Sequence, residues 1–132
     1  MAELSYPLAS SGREAVRSVS EKPVAEITLD AAVAGELEAG DVAIAPETLE
    51  LQAAFAEEGG NPQLAENLRR GAELVSFSDE ELLAFYDMLR PGRSSAEELE
   101  GLAKRLEARG AERCAALVRE AGAAYERRGL IA

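Results

Sequence analysis

Apolar residues recur at helical spacing from Ile27 onward, whereas the first 26 residues show no helical period. In that first segment Tyr6-Pro7-Leu8, Ser10-Ser11-Gly12 and Pro23 interrupt any regular pattern. The pattern therefore predicts an extended N-terminal arm over residues 1–26 and a helical domain over residues 27–132. Fully stretched, such an arm would reach roughly 80 Å, far enough to lie on another molecule. A frayed terminus is the alternative interpretation.

Three helices are predicted in the first half of the helical domain, each from a start or stop signal. Thr28 can cap the first, because its hydroxyl accepts a hydrogen bond from a backbone N–H that would otherwise be unpaired. Pro46 and Pro62 stand at the first positions of the next two helices, where a missing N–H costs nothing. Gly59-Gly60 ends the second helix, and Asn61 caps the third.

The segment FSDEELLAFYDMLRP, residues 77–91, carries the strongest helix-start signal of the chain. Ser78 and Glu81 have the spacing of a capping box, and Phe77 can close over the first turn as a hydrophobic staple. Apolar residues occupy so many sides of this helix that we expect more than one side to be buried, either in the domain centre or against a partner. The predicted main stripe is Leu82, Phe85, Tyr86 and Leu89, with Leu83 and Met88 outside it.

Two further helices are predicted after the Pro91-Gly92 break. Ser94 and Glu97 have the spacing of another capping box, and Arg109-Gly110 ends the helix that they start. The last helix runs from about Ala111 to Arg127. No stretch shows the two-residue alternation of a strand, so the fold class is all-α: an irregular array of about five to six short and medium helices with an extended N-terminal arm. The apolar positions are Leu99, Leu102, Ala103 and Leu106, then Ala115, Val118, Gly122 and Tyr125.

The charge of the chain narrows the classes of partner. Fourteen lysines and arginines stand against 25 aspartates and glutamates, a formal net charge of −11. Nucleic acid and anionic lipid attract positive charge, so both partners are disfavoured. The first residues lack a secretion signal, and no run approaches the ~18 apolar residues of a membrane span. We expect a soluble, cytoplasmic protein.

The side chains offer little chemistry for catalysis. The chain has no histidine, which removes the commonest general base and a leading metal ligand together. Its one cysteine, Cys114, stands in a helical pattern and is interpreted as a small buried hydrophobe. Carboxylates at 57–58, 79–81 and 97–98 are interpreted as capping or solvated groups near helix ends, with a metal or acid–base site as the alternative. We therefore assign no catalytic, cofactor-binding or metal-binding residue.

An ordered series of short segments runs along nearly the whole chain. They are Tyr6-Pro7-Leu8, Thr28-Leu29, Ile44, Pro46-Glu47-Thr48-Leu49, Gln52-Ala53, Leu64-Ala65, Asn67, Ala72-Glu73-Leu74, Tyr86, Leu89-Arg90-Pro91, Arg93-Ser94, Glu98-Leu99, Leu106-Glu107, Val118-Arg119-Glu120-Ala121, Tyr125 and Arg128. Read in this order, the segments resemble the small (gamma) subunit of adenosylcobalamin-dependent diol and glycerol dehydratases.

The resemblance implies a complex of large, medium and small subunits, two of each. Such a complex converts glycerol or propane-1,2-diol to an aldehyde and water by a radical mechanism. Adenosylcobalamin is bound by the other subunits, and the helical small subunit packs on the catalytic large one without supplying a catalytic residue. The resemblance leaves packaging in a bacterial microcompartment open.

The resemblance gives a reason for the arm and for the apolar helix, since both can meet the large subunit. We predict a subunit interface at Tyr6, Pro7 and Leu8 and at Arg90, Pro91 and Arg93. For the arginine turn, a helix stop with solvated side chains is the alternative. For the whole chain, the alternatives are a free-standing helical adaptor that binds peptides in a groove, and a small independent enzyme, which we do not expect.

Overall fold

The chain is all-helical in a computed structural model, which describes residues 4–132. No strand occurs in that range; Arg17 with Pro23 and Ser18 with Ile44 form isolated bridges. The predicted all-α class is confirmed, and five of the seven helices in the described range have seven residues or more. The helices are α1 (Leu8–Ser11), α2 (Leu29–Val33), α3 (Pro46–Glu58), α4 (Pro62–Leu74), α5 (Asp79–Met88), α6 (Ala96–Ala108) and α7 (Glu112–Arg128), with short 3-10 helices at Arg13–Ala15, Val24–Glu26 and Ala39–Asp41.

The helices are distributed over two compact units. The first unit ends at Ala72 and the second runs from Glu73 to Ala132, so that the boundary falls inside α4. The predicted division into an arm at 1–26 and a domain at 27–132 stays a prediction, and the first three residues of that arm lie outside the described part of the chain.

The predicted helix starts of the first unit are confirmed. The Thr28 hydroxyl and the Asn61 side-chain oxygen each accept a hydrogen bond from the backbone N–H three residues later, at 3.2 and 3.1 Å. Pro46 and Pro62 are the first residues of α3 and α4. Gly60 follows α3 in left-handed backbone, with a φ of 79°, which glycine adopts without strain.

An ion pair connects α3 and α4. Ala53 on α3 and Ala65 on α4 are fully buried. Arg69 on α4 donates to both carboxylate oxygens of Glu57 on α3, at 3.0 and 2.7 Å. The hydrogen-bonded Glu57 carboxylate raises the pKa of Arg69. The first unit therefore combines a thin apolar core with a bidentate ion pair.

A buried carboxylate, Asp41, ties together segments that lie some twenty residues apart. It accepts hydrogen bonds from the Glu38 backbone N–H (2.9 Å), the Ser20 hydroxyl and the Lys22 ammonium group (2.9 Å). These bonds, that of the Glu38 N–H most of all, hold the pKa of Asp41 well below its usual 3.8. The chain around residues 18–22 is thereby fixed to the turn around residue 41.

The core of the second unit lies between α6 and α7. The connection between the two helices is only three residues long, and Gly122 near the end of α7 lies against Leu99 near the start of α6. The two helices are therefore antiparallel neighbours. Cys114 is buried in this core, as predicted. The buried set is Phe77, Phe85, Leu99, Leu102, Ala103, Leu106, Ala111, Cys114, Ala115 and Val118.

The capping box of α5 is confirmed, whereas that of α6 lies one residue further along than predicted. Ser78 and Glu81 exchange hydrogen bonds of 3.2 and 2.8 Å between side chain and backbone. At α6 the cap is Ser95 with Glu98, so the prediction of Ser94 with Glu97 was wrong. The sequence SSAEE fits both registers. The structure resolves the choice because the Ser94 hydroxyl is buried and donates to the Met88 carbonyl instead (2.8 Å).

The burial of Leu102 and the exposure of Leu83 predict different losses of stability when each is replaced by alanine. Leu102 is 1% exposed and Leu83 is 68% exposed. We expect Leu102→Ala to lower the free energy of unfolding by about 2–5 kcal/mol, because it leaves a cavity, and Leu83→Ala to change it by less than about 0.5 kcal/mol. Urea unfolding of the purified full chain, followed by circular dichroism, measures both. Equal losses in the two variants would contradict this core.

Candidate subunit-docking surfaces

The predicted docking turn, Arg90 to Arg93, directly follows α5 in the second unit. The side chains of Arg90 and Arg93 are 68% and 54% exposed, and Pro91 is exposed as well. Gly92 adopts a φ of 73°, in the left-handed region that a side chain would disfavour. The turn therefore presents two guanidinium groups to the surroundings on a sharply bent backbone.

Hydrogen bonds from distant residues hold this turn in place. Three of the four bonds involve the last helix or the residues after it, and the fourth joins Ser94 to Met88, so the turn is fastened to the core as well as to its own neighbours. A fixed turn loses little conformational freedom when it binds a partner. The bonds are Tyr125 Oη to the Leu89 carbonyl (2.6 Å), Gly92 N–H to the Leu130 carbonyl (2.7 Å), Ala132 N–H to the Ser94 carbonyl (3.0 Å) and Ser94 Oγ to the Met88 carbonyl (2.8 Å).

The charge of the turn is smaller than its sequence suggests. Asp87, in the last turn of α5, lies 3.0 Å from the Arg93 guanidinium and 3.6 Å from that of Arg90. One carboxylate thus faces two guanidinium groups, and this group of three side chains carries a net charge of about +1. All three side chains are more than half exposed, so the ion pairs themselves add little stability.

The outer face of α5 exposes two large apolar side chains. Leu83 and Tyr86 are each 68% exposed, whereas Phe85 is 6% exposed. The predicted stripe was wrong for Tyr86, which points away from the core, and for Met88, which packs partly buried against it. Ring packing determines which face of α5 meets the core, because the Phe77 and Phe85 rings lie edge to face with centroids 5.4 Å apart.

A sequence signal for this outer face did exist. Phe77 precedes the helix by two residues, and a staple residue of that size draws the side of the helix that carries Phe85 toward the core. Met88, three residues after Phe85, then lies on the same side. Leu83 and Tyr86, three residues apart, are left on the other side. The helix is therefore buried on one side only.

The other predicted docking residues, Tyr6, Pro7 and Leu8, lie together at the start of α1 in the first unit. Tyr6 is 80% exposed, although its ring meets the Phe55 ring edge to face at 6.2 Å. Beside them is an open groove of about 1070 Å³. Its walls are predominantly apolar, and they include Leu4, Tyr6, Leu8, Phe55, Leu64 and Leu68.

The six predicted docking residues thus form two groups. Arg90, Pro91 and Arg93 share one turn of the second unit, and Tyr6, Pro7 and Leu8 share one segment of the first. The first unit has a further exposed apolar pair that the sequence reasoning did not select: Leu29 and Val33, one turn apart on α2, are 79% and 81% exposed. Each unit therefore carries its own exposed apolar surface.

Several carboxylates of the second unit are engaged in caps and ion pairs. Arg119 on α7 donates to both oxygens of Glu100 (2.9 and 3.0 Å) and to Glu107, both on α6. These hydrogen bonds from Arg119 lower the pKa of both carboxyls below the ordinary 4.5. In the described range, no three or more Cys, Asp or Glu side chains are grouped so as to hold a metal ion, and no helix there is long and apolar enough to cross a membrane.

Comparison with known proteins gives one consistent result. The family model described as "Dehydratase small subunit" matches residues 1–132. Two propanediol dehydratase small subunits, from Citrobacter freundii and from Salmonella typhimurium strain LT2, are each 43% identical to this chain over 124 residues. The alignments cover 93% of this chain and 72% of each relative. These findings do not favour a free-standing adaptor.

The Arg119 ion pairs predict a specific response to acid. Because the folded pKa values of Glu100 and Glu107 lie below 4.5, the stability that these groups contribute is present above pH 4.5 and is lost as the pH falls through the lowered values. We expect Arg119→Met to remove the stability that Glu100 and Glu107 gain from their ion pairs. The unfolding free energy of this variant should therefore fall less steeply below pH 4.5 than that of the wild type.

Arg127→Met is the matched control, since it removes the same charge from the exposed end of α7. The unfolding free energy of Arg127→Met should fall as steeply below pH 4.5 as that of the wild type. Urea unfolding at a series of pH values measures the slopes, and an unchanged slope for Arg119→Met would show that the pairs do not contribute.

Proposed function

Because the chain belongs to the family of dehydratase small subunits, we propose that it packs on and stabilises the catalytic large subunit of a diol dehydratase and supplies no catalytic group itself. The observation that carries the proposal is the family match over all 132 residues. The structure agrees with it, because large apolar side chains are exposed on its surface, as binding to another protein requires. The complex would be a lyase that converts propane-1,2-diol or glycerol to an aldehyde and water by a radical mechanism.

The composition of the chain supports a non-catalytic role. It contains no histidine and therefore no imidazole, the commonest general base and metal ligand of proteins. Its cysteine, Cys114, is buried among the core residues of α6 and α7, where a thiol cannot reach a diol. Catalytic groups of the complex would then belong to the large subunit.

The residues of this chain also do not fit an adenosylcobalamin site. The groove beside Tyr6 is lined chiefly by aliphatic and aromatic side chains, and Ser5, Gln52 and Glu58 add few polar groups for a cofactor that carries many amides. We propose that adenosylcobalamin is bound by the other subunits and that this chain acts on the reaction only through the stability of the complex.

For the assembly, we propose large, medium and small subunits, two of each, in the cytoplasm, either free or in a bacterial microcompartment. The docking residues would be Tyr6, Pro7 and Leu8 in the first unit and Arg90, Pro91 and Arg93 in the second. Support comes from the exposure of five of these residues, with Leu8 half-buried, and from the hydrogen bonds that fix the 90–93 turn. A fixed, exposed turn with two arginines suits a carboxylate on the partner.

Reconstitution tests the proposed function directly. The chain is co-expressed with large and medium subunits of a diol dehydratase, and turnover of propane-1,2-diol and of glycerol is assayed with added adenosylcobalamin. We expect turnover by the three-subunit complex, less soluble enzyme when this chain is omitted, and no turnover by this chain alone. Diol dehydration by the purified chain alone would overturn the non-catalytic assignment.

A charge reversal tests the docking turn. Arg93→Glu places a second carboxylate beside Asp87 and should weaken association with the large subunit roughly tenfold, because like charges then face each other at the interface. Pull-down with a tagged large subunit measures the effect. Arg127→Glu makes the same change of charge on α7 and should bind as the wild type does, while circular dichroism should show equal helix content in both variants. Undiminished binding of Arg93→Glu would show that the turn is not part of the interface.

A further inference from the structure

One face of α5 carries three exposed side chains, Asp79, Leu83 and Tyr86, whose spacings of four and three residues place them along one line of the helix. The exposed Arg90 follows two residues after the last residue of α5 and extends this row. We call this row the α5 outer stripe. Leu83, Tyr86 and the Arg90 side chain are each 68% exposed, and Asp79 is exposed too.

The core fixes the direction in which the stripe points. On the opposite side of α5, Phe85 is 6% exposed and its ring packs edge to face on Phe77. The guanidinium of Arg105 on α6 lies 5.4 Å from the centre of the Phe85 ring, which closes the inner side further. Rotating α5 to bury Leu83 and Tyr86 would expose Phe85 and break its ring contact with Phe77. The stripe can be covered only by something outside the second unit's own core.

The stripe has an electrical polarity along its length. At its N-terminal end, Asp79 is followed by a second exposed carboxylate, Glu80. At its C-terminal end, Arg90 and the nearby Arg93 share Asp87, so that this group keeps a net charge of about +1. The apolar Leu83 and Tyr86 lie between the two ends. A complementary surface would therefore be basic at one end, apolar in the middle and acidic at the other.

We propose that the α5 outer stripe lies in a groove of the large dehydratase subunit, with a basic rim at the N-terminal end of α5 and an acidic rim at Arg90. This inference rests on the proposed function and assigns to it a specific helix, a direction and a partner chemistry. The stripe is continuous with the docking turn, since Arg90 belongs to both. An amphipathic helix laid in a groove with anchors at this spacing is a recurrent mode of recognition.

The size of the stripe argues against a second copy of this chain as its partner. Two copies could pair antiparallel, since the charges would then match. A ten-residue helix is about 15 Å long, however, and one Tyr with one Leu buries roughly 300 Å² per copy, while stable interfaces bury at least about 1,200 Å² in total. A larger subunit can cover the stripe and the docking turn together.

Matched leucine variants test the proposal in the co-expressed complex. Leu83→Asp should lower the amount of this chain that co-purifies with a tagged large subunit by about tenfold, because a carboxylate would enter the apolar centre of the groove. Leu117→Asp makes the same substitution at an exposed position of α7, 45% exposed, and should leave co-purification unchanged. Circular dichroism of both variants should show wild-type helix content, since neither leucine is in the core.

Photo-cross-linking identifies what covers the stripe. With p-benzoylphenylalanine at position 86, we expect a cross-link to the large subunit. Probes at positions 80 and 90 should map to segments of that subunit rich in lysine or arginine and in aspartate or glutamate, respectively.

The outcomes separate the two proposals. Wild-type chain that fails to co-purify with the large subunit would overturn the proposed function, and the stripe assignment with it. Wild-type co-purification with undiminished binding of Leu83→Asp, or a position-86 cross-link between two copies of this chain, would overturn the stripe assignment alone.

Discussion

The packing of α6 against α7 is the contact on which the second unit depends. Leu99, Leu102 and Leu106 of α6 are almost fully buried against the inner face of α7. Because α7 is held there, the Tyr125 hydroxyl can donate a hydrogen bond to the Leu89 carbonyl. The Leu130 carbonyl can accept one from the Gly92 N–H. The exposed arginine turn is thus positioned by the packing of α6 against α7. Hydrogen bonds to backbone groups link the turn to this core.

The sequence predicted the features that neighbouring residues determine. Caps at Thr28, Asn61 and Ser78 depend on groups three residues apart, so a local pattern suffices. The register at SSAEE could not be chosen in this way, because both serines have a glutamate three residues later. The choice depends on Ser94 finding the Met88 carbonyl in the folded turn. That contact follows from the turn geometry rather than from the spacing.

The features that the sequence did not predict depend on contacts between distant segments. Asp41 is paired with Lys22 and Ser20, about twenty residues away, and nothing in its own neighbourhood marks it as buried. The orientation of α5 is a different case, because the Phe77 and Phe85 rings are only eight residues apart and the staple position of Phe77 was a sequence signal. Helical spacing alone placed both Tyr86 and Leu82 near Phe85, and it did not show that Tyr86 points outward. Because Tyr86 was assigned to the core-facing stripe, the exposed face of α5 was not predicted.

Several carboxylates of this small acidic chain cap helices or form ion pairs, and we propose that its exposed apolar side chains bind a larger subunit. The mass of the native complex tests this account most directly. After co-expression, native mass spectrometry should find two copies of this 14.0 kDa chain in every active complex, together with two large and two medium subunits. A fully active, equally stable complex of large and medium subunits that lacks this chain would contradict it.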